Sequence, residues 1–365
     1  MLVEGQPFKT IWANADLGCI HIIDQTLLPH RFEIRQLNHL EEVVSAITQM
    51  QVRGAPLIGA AAAYGICLAL DENPSNPSLV RAMERLGRTR PTAVNLQWAL
   101  DRMRSAVWPV PEAGRAKAAY LEAGKICEED VRTCRSIGQF GLDIIRKLHR
   151  RQPDRPVNIL THCNAGWLAT IDWGTATSPI YHAQIEEIPV HVWVDETRPR
   201  NQGASLTCFE LDQQHIPHTL VVDNAGGHLM QQGRVDMVIT GTDRTARNGD
   251  VANKIGTYLK ALAAKDNGIP FYVALPSSTI DWNCANGTEI PIEHRSTTEI
   301  THLSGIDSSG SLEQIRVSPL RSLAENPAFD ITPAALVAGL ITERGPVAPN
   351  ETALSRMFPE FNPHA

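Results

Sequence analysis

The sequence predicts an α/β protein in which a mostly helical N-terminal domain with a small antiparallel sheet precedes a Rossmann-like C-terminal domain. Helical spacing of apolar residues dominates residues 38–151. From Val157 onward, short apolar runs alternate with helical patterns, which indicates βαβ units and a parallel sheet covered on both faces. The length of 365 residues suits two domains at about 150 residues each. We therefore expect domains at residues 1–152 and 153–365.

The charge balance and the cysteines limit the classes of function and the compartment that fit this protein. The chain carries 33 Lys and Arg against 40 Asp and Glu, a formal net charge of −7, which disfavours a nucleic-acid-binding surface. Its seven cysteines are an odd number without a C-x-x-C pair, so we expect free thiols in a reducing compartment. No apolar run approaches the roughly 20 residues of a membrane-spanning helix, and the N-terminus lacks the pattern of a secretory signal. We expect a cytoplasmic protein with no membrane or nucleic-acid partner.

The N-terminal domain begins with strand signals and continues with helices. Residues 8–34 are rich in β-branched side chains around a turn at Asn14–Gly18, which predicts a small antiparallel sheet. Asn38 is the expected N-cap of the first helix, with Glu41 three residues further on and apolar residues at helical spacing from Leu40 to Met50. The same spacing predicts further helices over residues 60–70, 81–107 and 113–151.

In the C-terminal domain we expect strands at residues 157–162, 189–195, 219–223, 237–243 and 270–275. Ligands of open parallel sheets bind beyond the carboxyl ends of the strands. Polar residues follow four of the expected strands. The usual polarity of loops explains poorly why they recur at four strand ends. These segments are Thr161–Gly166, Glu196–Pro199, Asn224–His228 and Gly241–Arg244. The strand ends are therefore the predicted site.

Two of these strand ends carry residues suited to proton transfer or covalent chemistry. Cys163 lies between His162 and the small pair Ala165-Gly166, which is expected to open a helix whose dipole favours a reactive thiol. Asp243 follows an apolar strand and could act as a proton donor or acceptor. The alternatives are structural, since a cysteine is often a small buried apolar residue and an Asp after a strand often caps the next turn.

Basic residues beside small ones predict an anion site. Arg53 ends the first predicted helix beside Gly54 and Ala55, so that guanidinium and backbone can approach one anion together. Asn253 and Lys254 are expected in the first turn of a helix behind a glycine. Free N–H groups, the helix dipole and an ammonium suit a phosphate at that position. Each of these residues taken singly could equally be a solvated surface group.

Common cofactor signatures are missing from the sequence. It contains no G-x-x-x-x-G-K-[ST] loop and no G-x-G-x-x-G after a first strand, so neither a nucleotide triphosphatase nor a dinucleotide enzyme is supported. The 13 histidines include no H-E-x-x-H or comparable ligand pattern. We expect no cofactor and no metal ion.

With these motifs in view, the chain resembles the methylthioribose-1-phosphate isomerases, in the superfamily that includes the regulatory subunits of translation initiation factor 2B. The resemblance runs from Ile22 to Gly345. It departs from the family pattern at Asn201, Ser205 and His294. The segments that carry it are Val52–Pro56, Arg90–Leu96, Thr161–Gly166, Glu196–Pro199, Gln202–Ala204, Asn248–Gly256 and Asn326–Asp330.

The resemblance implies a role for each site residue. Cys163 and Asp243 would form the catalytic pair, and Gln202 enters through the resemblance alone. The reaction would be the aldose–ketose isomerisation of 5-methylthioribose 1-phosphate in methionine salvage, carried out by a homodimer without a cofactor. The residues that would hold this sugar phosphate are Arg53, Gly54, Ala55, Arg90, Gln202, Asn253 and Lys254.

The implied chemistry explains why an acid and a thiol are needed. C1 of the substrate is locked as a phosphate ester, so Asp243 would protonate the ring oxygen to open the ring. Hydrogen then moves from C2 to C1, as a proton through an enediol with Cys163 as base, or as a hydride with Cys163 assisting. Two other functions stay open. One is isomerisation of ribose 1,5-bisphosphate or 5-deoxyribose 1-phosphate, and the other is a regulatory subunit that senses a sugar phosphate or a nucleotide without turnover.

Overall fold

The computed structural model describes residues 1–14, 18–90 and 93–361. The middle of the expected turn, residues 15–17, and residues 91–92 of the motif that begins at Arg90 lie outside the described residues. The chain starts with β1 (Leu2–Val3), β2 (Gln6–Pro7), β3 (Ile11–Asn14), β4 (Cys19–Ile23) and β5 (Ile34–Leu37). Strands β3, β4 and β5 form an antiparallel sheet in that order, which confirms the small sheet expected from the sequence.

Helices dominate the rest of the N-terminal part. They are α1 (Leu40–Thr48), α2 (Ala55–Glu72), α3 (Asn76–Gly87), α4 (Val94–Val107) and α5 (Glu112–Arg151). The N-cap of α1 is His39 instead of Asn38, because the Glu42 carboxylate accepts the His39 backbone N–H at 3.2 Å. Two helices, α3 and α4, replace the one expected over residues 81–107, since a proline at position 91 disfavours helical geometry at the residue before it.

Within the described residues, one helix, α2, is long and apolar enough to cross a membrane by length and composition. However, 83% of this stretch is buried inside the protein. A helix that is apolar all round belongs in a core, and α2 contacts α1, α3, α4 and α5. We therefore interpret α2 as the central core helix of the N-terminal part.

The second half alternates strands and helices as expected. Its strands are β6 (Val157–Thr161), β7 (Val190–Asp195), β8 (His218–Val221), β9 (Met237–Thr240), β10 (Arg244–Ala246), β11 (Val251–Lys254), β12 (Phe271–Ala274), β13 (Ile280–Asp281), β14 (His302–Ile306), β15 (Leu312–Arg316), β16 (Phe329–Thr332), β17 (Gly339–Thr342) and β18 (Gly345–Val347). Its helices are α6 (Ser178–Ile185), α7 (Cys208–Gln213), α8 (Ala225–Gln231), α9 (Thr257–Asp266), α10 (Thr298–Thr301) and α11 (Glu351–Met357).

The large sheet has the strand order β18-β17-β12-β9-β6-β7-β8. All neighbours are parallel except β17 and β18. Counted along the chain, the parallel strands lie in the order third, second, first, fourth, fifth, sixth, which is that of a Rossmann-like doubly wound sheet. The order reverses between β6 and β9, and ligands of such sheets bind at that point. The five strands expected from the sequence are all present in this sheet.

A second sheet, in the order β13-β10-β11-β16, lies beyond the carboxyl end of β9. Its strands have two to four residues and are not among the strands expected from the sequence. The sheet corrects one expectation: Asn253 and Lys254 end strand β11, whereas helix α9 begins only at Thr257. The physical reason is pairing with β16, where Asn253 faces Asp330 and Lys254 faces Phe329.

Helix α5 contributes to both halves of the molecule. Its first part packs in the helical core through Ala119, Ala123 and Ile126. Its last part, through Ile137 and Ile145, packs in the core against the large sheet. The expected domain boundary between residues 152 and 153 falls just after this helix and stays a prediction.

Candidate active site

Cys163 occupies a strained position at the carboxyl end of β6. Its φ of 66° lies in the left-handed region that side chains other than glycine rarely adopt. The backbone N–H donates to Oγ1 of Thr197 at 2.8 Å, and the carbonyl accepts from Oγ1 of Thr207 at 2.7 Å. The Sγ atom lies 3.5 Å from Oε1 of Gln202. These partners hold the thiol in one orientation.

The surroundings of this thiol differ from the sequence expectation. No α-helix opens at Ala165-Gly166 in the described chain; a short 3₁₀ turn follows at Trp167–Ala169, and α6 begins only at Ser178. The intervening loop packs against Gly54 instead of presenting a helix N-terminus. Burial therefore dominates and raises the pKa of Cys163, although nearby Arg53 and Lys254 act in the opposite direction. At neutral pH the group is a thiol.

The sequence suggested that Arg53 and Gly54 end α1. In the structure they lie at the start of α2. Gly54 is the N-cap residue with a φ of 99°, and a Cβ there would lie 2.4 Å from the carbonyl oxygen of Ala169. Only glycine fits this position. Ala55 is the first residue of the 18-residue helix, so backbone N–H groups and the positive end of the helix dipole are available to an anion.

The Arg53 side chain is buried and held by Asn164. Its two Nη atoms donate to the side-chain and backbone oxygens of Asn164. The Nε atom is buried without a hydrogen-bond partner among the described residues, so this donor can serve an anion. Asn164 in turn donates to Glu210 at 2.9 Å, and Tyr181 and the Leu168 N–H complete the contacts of that carboxylate. Burial raises the pKa of Glu210 to about 7.

Asp243 faces the same cavity as Cys163. Its backbone N–H donates to the carbonyl of Ala252 at 3.0 Å, so the second sheet holds the loop after β9. The free space at the centre is about 30 Å³, roughly one water molecule, so a sugar phosphate must widen it. The predicted residues that line this cavity are Arg53, Gly54, Ala55, Cys163, Asp243 and Asn253.

The other predicted residues adjoin this cavity. Arg90 lines a second cavity that it shares with Ala55 and Asp243, and Gln202 lines a third one that it shares with Arg53. Lys254 is buried, and its Nζ donates to the Ala328 carbonyl at 2.9 Å. Burial first, and then the charge of Arg295, lowers the pKa of Lys254 to about 8. The fold thus brings all nine predicted residues to one region.

Behind the site lies a cluster of side-chain atoms of the kind that bind metal ions. It is formed by His162, Asp195 and Asp223. The His162 ring is already satisfied, with Nδ1 2.9 Å from Asp195 and Nε2 2.9 Å from the Ile255 carbonyl. The Lys260 ammonium lies 3.2 Å from the same Asp195 oxygen. These contacts explain the cluster as hydrogen-bonded support, and the expectation of no metal stays a prediction.

Sequence reasoning missed three charged residues of this region: Glu210, Glu293 and Arg295. Glu210 lies on the short helix α7, where an acidic residue normally indicates a solvated face. Glu293 and Arg295 lie outside regular strands and helices, where no periodicity marks them. The family pattern around His294 was the available signal, and it was used only to note a departure.

The class of protein follows from comparison with known families. Residues 51–349 match the model of the Initiation factor 2 subunit family, and the chain belongs to that family. A methylthioribose-1-phosphate isomerase of Methylocella silvestris is 58% identical over 362 residues, which cover 99% of each chain. Within the family, the chain belongs with the methylthioribose-1-phosphate isomerases.

Solved structures support the same assignment. The 5-methylthioribose 1-phosphate isomerase of Pyrococcus horikoshii OT3 superposes with a TM-score of 0.83 at 38% identity, covering 97% of both chains. A structure described as the delta subunit of translation initiation factor eIF-2B from A. fulgidus gives a TM-score of 0.80 at 37% identity, covering 97% of this chain and all of that one. The predicted fold class is therefore confirmed.

Proposed function

We propose that this protein converts 5-methylthioribose 1-phosphate to 5-methylthioribulose 1-phosphate in methionine salvage. The observation that carries the proposal is that Cys163 and Asp243 line one cavity at the point where the strand order reverses, beside the N-terminus of α2. The helix N-terminus with Arg53 suits the phosphate, and the carboxyl and thiol groups suit the isomerisation. The full-length similarity to isomerases of this name supports the same reaction. A metabolic enzyme of this kind fits a cytoplasmic location.

In the proposed reaction, Asp243 gives a proton to the ring oxygen and the bond from C1 to that oxygen breaks. The hydrogen on C2 moves with its bonding electron pair, as a hydride, to the positively charged C1. The charge passes to C2, and the C2 hydroxyl loses its proton to give the ketone. The carboxylate of Asp243, formed in the first step, can accept this proton. Atoms and charges then balance without a cofactor, and the phosphate stays attached throughout.

The state of Cys163 bears on how the hydrogen moves. Burial raises the pKa of this thiol, so it is a poor base at neutral pH and a better hydrogen-bond or proton donor. We therefore favour hydride transfer from C2 to C1, with Cys163 assisting. Substrate deuterated at C2 tests this: deuterium retained at C1 of the product in ordinary water supports hydride transfer, and complete washout excludes it.

The cavity beside Asp243 suits an apolar 5-substituent. A methylthio group needs apolar surface, whereas a second phosphate needs further cations. Two cations, Arg90 and Arg244, line this cavity together with seven apolar side chains. The phosphate on C1 accounts for Arg90, and the apolar remainder of the lining suits a methylthio group. The apolar side chains that line the cavity are Ala55, Ile58, Ala93, Ala252, Ile290, Pro291 and Phe329.

We further propose a homodimer. Leu259 and Leu262 on α9 are 58% and 38% exposed, and Val222 beyond the edge strand β8 is 60% exposed. Lys260, on the buried side of α9, donates to the Asp223 carbonyl, so α9 adjoins the end of β8. Exposed apolar groups gathered in this way mark interaction surfaces, and a second copy would cover them. Light scattering of the native protein and of Leu259→Glu tests the proposal, since the variant should be monomeric.

The function itself is tested by phosphorus and proton NMR with 5-methylthioribose 1-phosphate and, separately, ribose 1,5-bisphosphate. Conversion of the first alone supports the proposal, and conversion of only the second moves the protein to another isomerase class. Cys163→Ala and Asp243→Asn should abolish turnover, whereas Cys208→Ala, a half-buried cysteine outside the site, should not. If neither sugar reacts, the proposed isomerase function is wrong, and a regulatory function like that of initiation factor subunits takes its place.

A further inference from the structure

Two arginines share one carboxylate at the edge of the site. Nε of Arg90 lies 3.3 Å from Oε2 of Glu293, and Nε of Arg295 lies 2.8 Å from Oε1 of the same group. The Arg90 and Arg295 side chains are only 11% and 9% exposed. The three residues therefore form a nearly buried triad.

Arg295 contacts residues that line two of these cavities. Its Nη1 is 3.2 Å from Sδ of Met50, which lines the cavity of Arg53. Its guanidinium is 5.7 Å from the centre of the Phe329 ring, which lines the cavity of Arg90. The Lys254 ammonium is 4.7 Å from the same ring. Arg295 therefore lies near Arg90 and Lys254, and its charge helps to lower the pKa of both.

The formal charges of this region do not cancel. Among the charged groups that act on Arg90, Cys163 or Lys254, the cations are Arg53, Arg90, Lys254 and Arg295, and the acids are Glu293 and Asp243. Since Asp243 enters the proposed reaction as the protonated acid, the cations of this set outnumber its anions by three. An uncompensated charge is costly where water is excluded, and a phosphate monoester at neutral pH carries a charge of about −2. Such an ester would offset most of this excess.

We propose that Arg295 is a further phosphate ligand and that Glu293 stands in for the phosphate on Arg90 and Arg295 until substrate binds. The phosphate oxygens would then replace the Glu293 carboxylate on Arg90, while Arg295 contacts both the phosphate and Glu293. Guanidinium groups suit this exchange because they pair with carboxylate and phosphate in the same planar geometry. This inference rests on the proposed function, since it deepens the same site.

The proposal and a purely structural triad predict opposite effects for Glu293. If Glu293 competes with phosphate, Glu293→Gln should tighten phosphate binding because it frees Arg90 and adds one positive charge. If the triad only holds the fold, Glu293→Gln and Arg295→Gln should both weaken phosphate binding. Arg295→Gln should weaken phosphate binding about tenfold or more in the first case, the usual effect of losing one charged hydrogen bond.

The experiment is isothermal titration of the full-length protein with inorganic phosphate. We expect weaker binding for Arg295→Gln, partial recovery for Arg295→Lys, and tighter binding for Glu293→Gln. The control is Arg85→Gln, which breaks an exposed pair with Glu41 far from the site and should leave binding unchanged. Thermal unfolding followed by circular dichroism identifies any variant that fails to fold. If Arg295→Gln fails to fold, phosphate binding by Arg295→Lys is the test.

Unchanged binding in Arg295→Gln, weaker binding in Glu293→Gln, or no phosphate binding by the native protein would each overturn the proposal. Turnover separates this inference from the proposed function. With 5-methylthioribose 1-phosphate, Arg295→Gln should raise KM about tenfold with a much smaller change in kcat. If phosphate binding responds as expected but no sugar is converted, the proposed function fails and the phosphate ligand stands.

Discussion

Nδ1 of His162 lies 2.9 Å from Oδ2 of Asp195, and neither side chain is exposed to solvent. The other ring nitrogen lies 2.9 Å from the Ile255 carbonyl oxygen. The ring is therefore held from both sides. Asp195 also faces the Lys260 ammonium at 3.2 Å, so one buried carboxylate holds both the imidazole and this ammonium.

Asp195→Asn should therefore destabilise the protein strongly. The amide keeps the size of the carboxylate but leaves the buried Lys260 ammonium without its counter-charge. We expect the free energy of unfolding to fall by about 3 kcal/mol, measured by urea denaturation. Asp154→Asn, at an exposed position, is the matched control. Equal stability of the two variants would contradict a charged cluster.

Gly54→Ala should damage both stability and phosphate binding. The new Cβ would meet the Ala169 carbonyl oxygen at 2.4 Å, in a backbone conformation that alanine disfavours. We expect a loss of about 2 kcal/mol in urea denaturation and weaker binding of inorganic phosphate in the same titration as above. Gly124→Ala, in the middle of α5 with open space around it, should instead stabilise by about 0.5–1 kcal/mol. Unchanged stability of Gly54→Ala would contradict the close approach of residue 54 to the Ala169 carbonyl oxygen.

The pH dependence of substrate binding should report Lys254. Its pKa is lowered to about 8, so the ammonium is present below that pH and lost above it. KM should therefore rise as the pH increases from 7.5 to 9.5, because a neutral amine attracts phosphate less. Lys254→Arg keeps its charge over this range, and its KM should stay level. A parallel rise in both proteins would assign the effect to another group.

Stability should also depend on the protonation of Asp130. Burial raises its pKa from 3.8 to about 7, so the folded protein holds this proton more tightly than the unfolded chain. The stabilisation is complete below the unfolded pKa and is lost as the pH rises through 7. The free energy of unfolding should fall by about 2 kcal/mol between pH 5.5 and 7.5 relative to Asp130→Asn.

In that comparison the other titrating groups cancel, including Glu210, because the native protein and Asp130→Asn share them. Urea denaturation at each pH measures the difference. A difference that does not change with pH would mean that Asp130 is ionised in the folded protein.

The large sheet could be predicted because its signals are local. Each buried parallel strand is a short apolar run that ends in polar residues, and this pattern is present in the sequence itself. Because ligands of such sheets bind at strand ends, the same local pattern points to Cys163 and Asp243. Their common cavity follows from the adjacency of β6 and β9.

The remaining features depend on pairing between distant segments. Asn253 and Lys254 belong to a strand because β16, some 75 residues later, pairs with β11, and four residues carry too little periodicity to reveal it. Arg53 precedes helix α2 instead of ending α1 because the loop after β6 packs against Gly54, the N-cap of α2. The pKa of Cys163 is raised where a helix dipole would have lowered it, because burial is a tertiary property.

The sequence by itself determined the α/β class, the positions of the main strands along the chain and most of the residues able to do acid, thiol and phosphate chemistry, because composition and periodicity act over a few residues. The tertiary structure alone decided which charges meet. Glu293 lies about 200 residues from Arg90 along the chain, yet the two side chains are in contact. Electrostatic balance depends on distance in space and on the exclusion of water, and neither is written in local sequence.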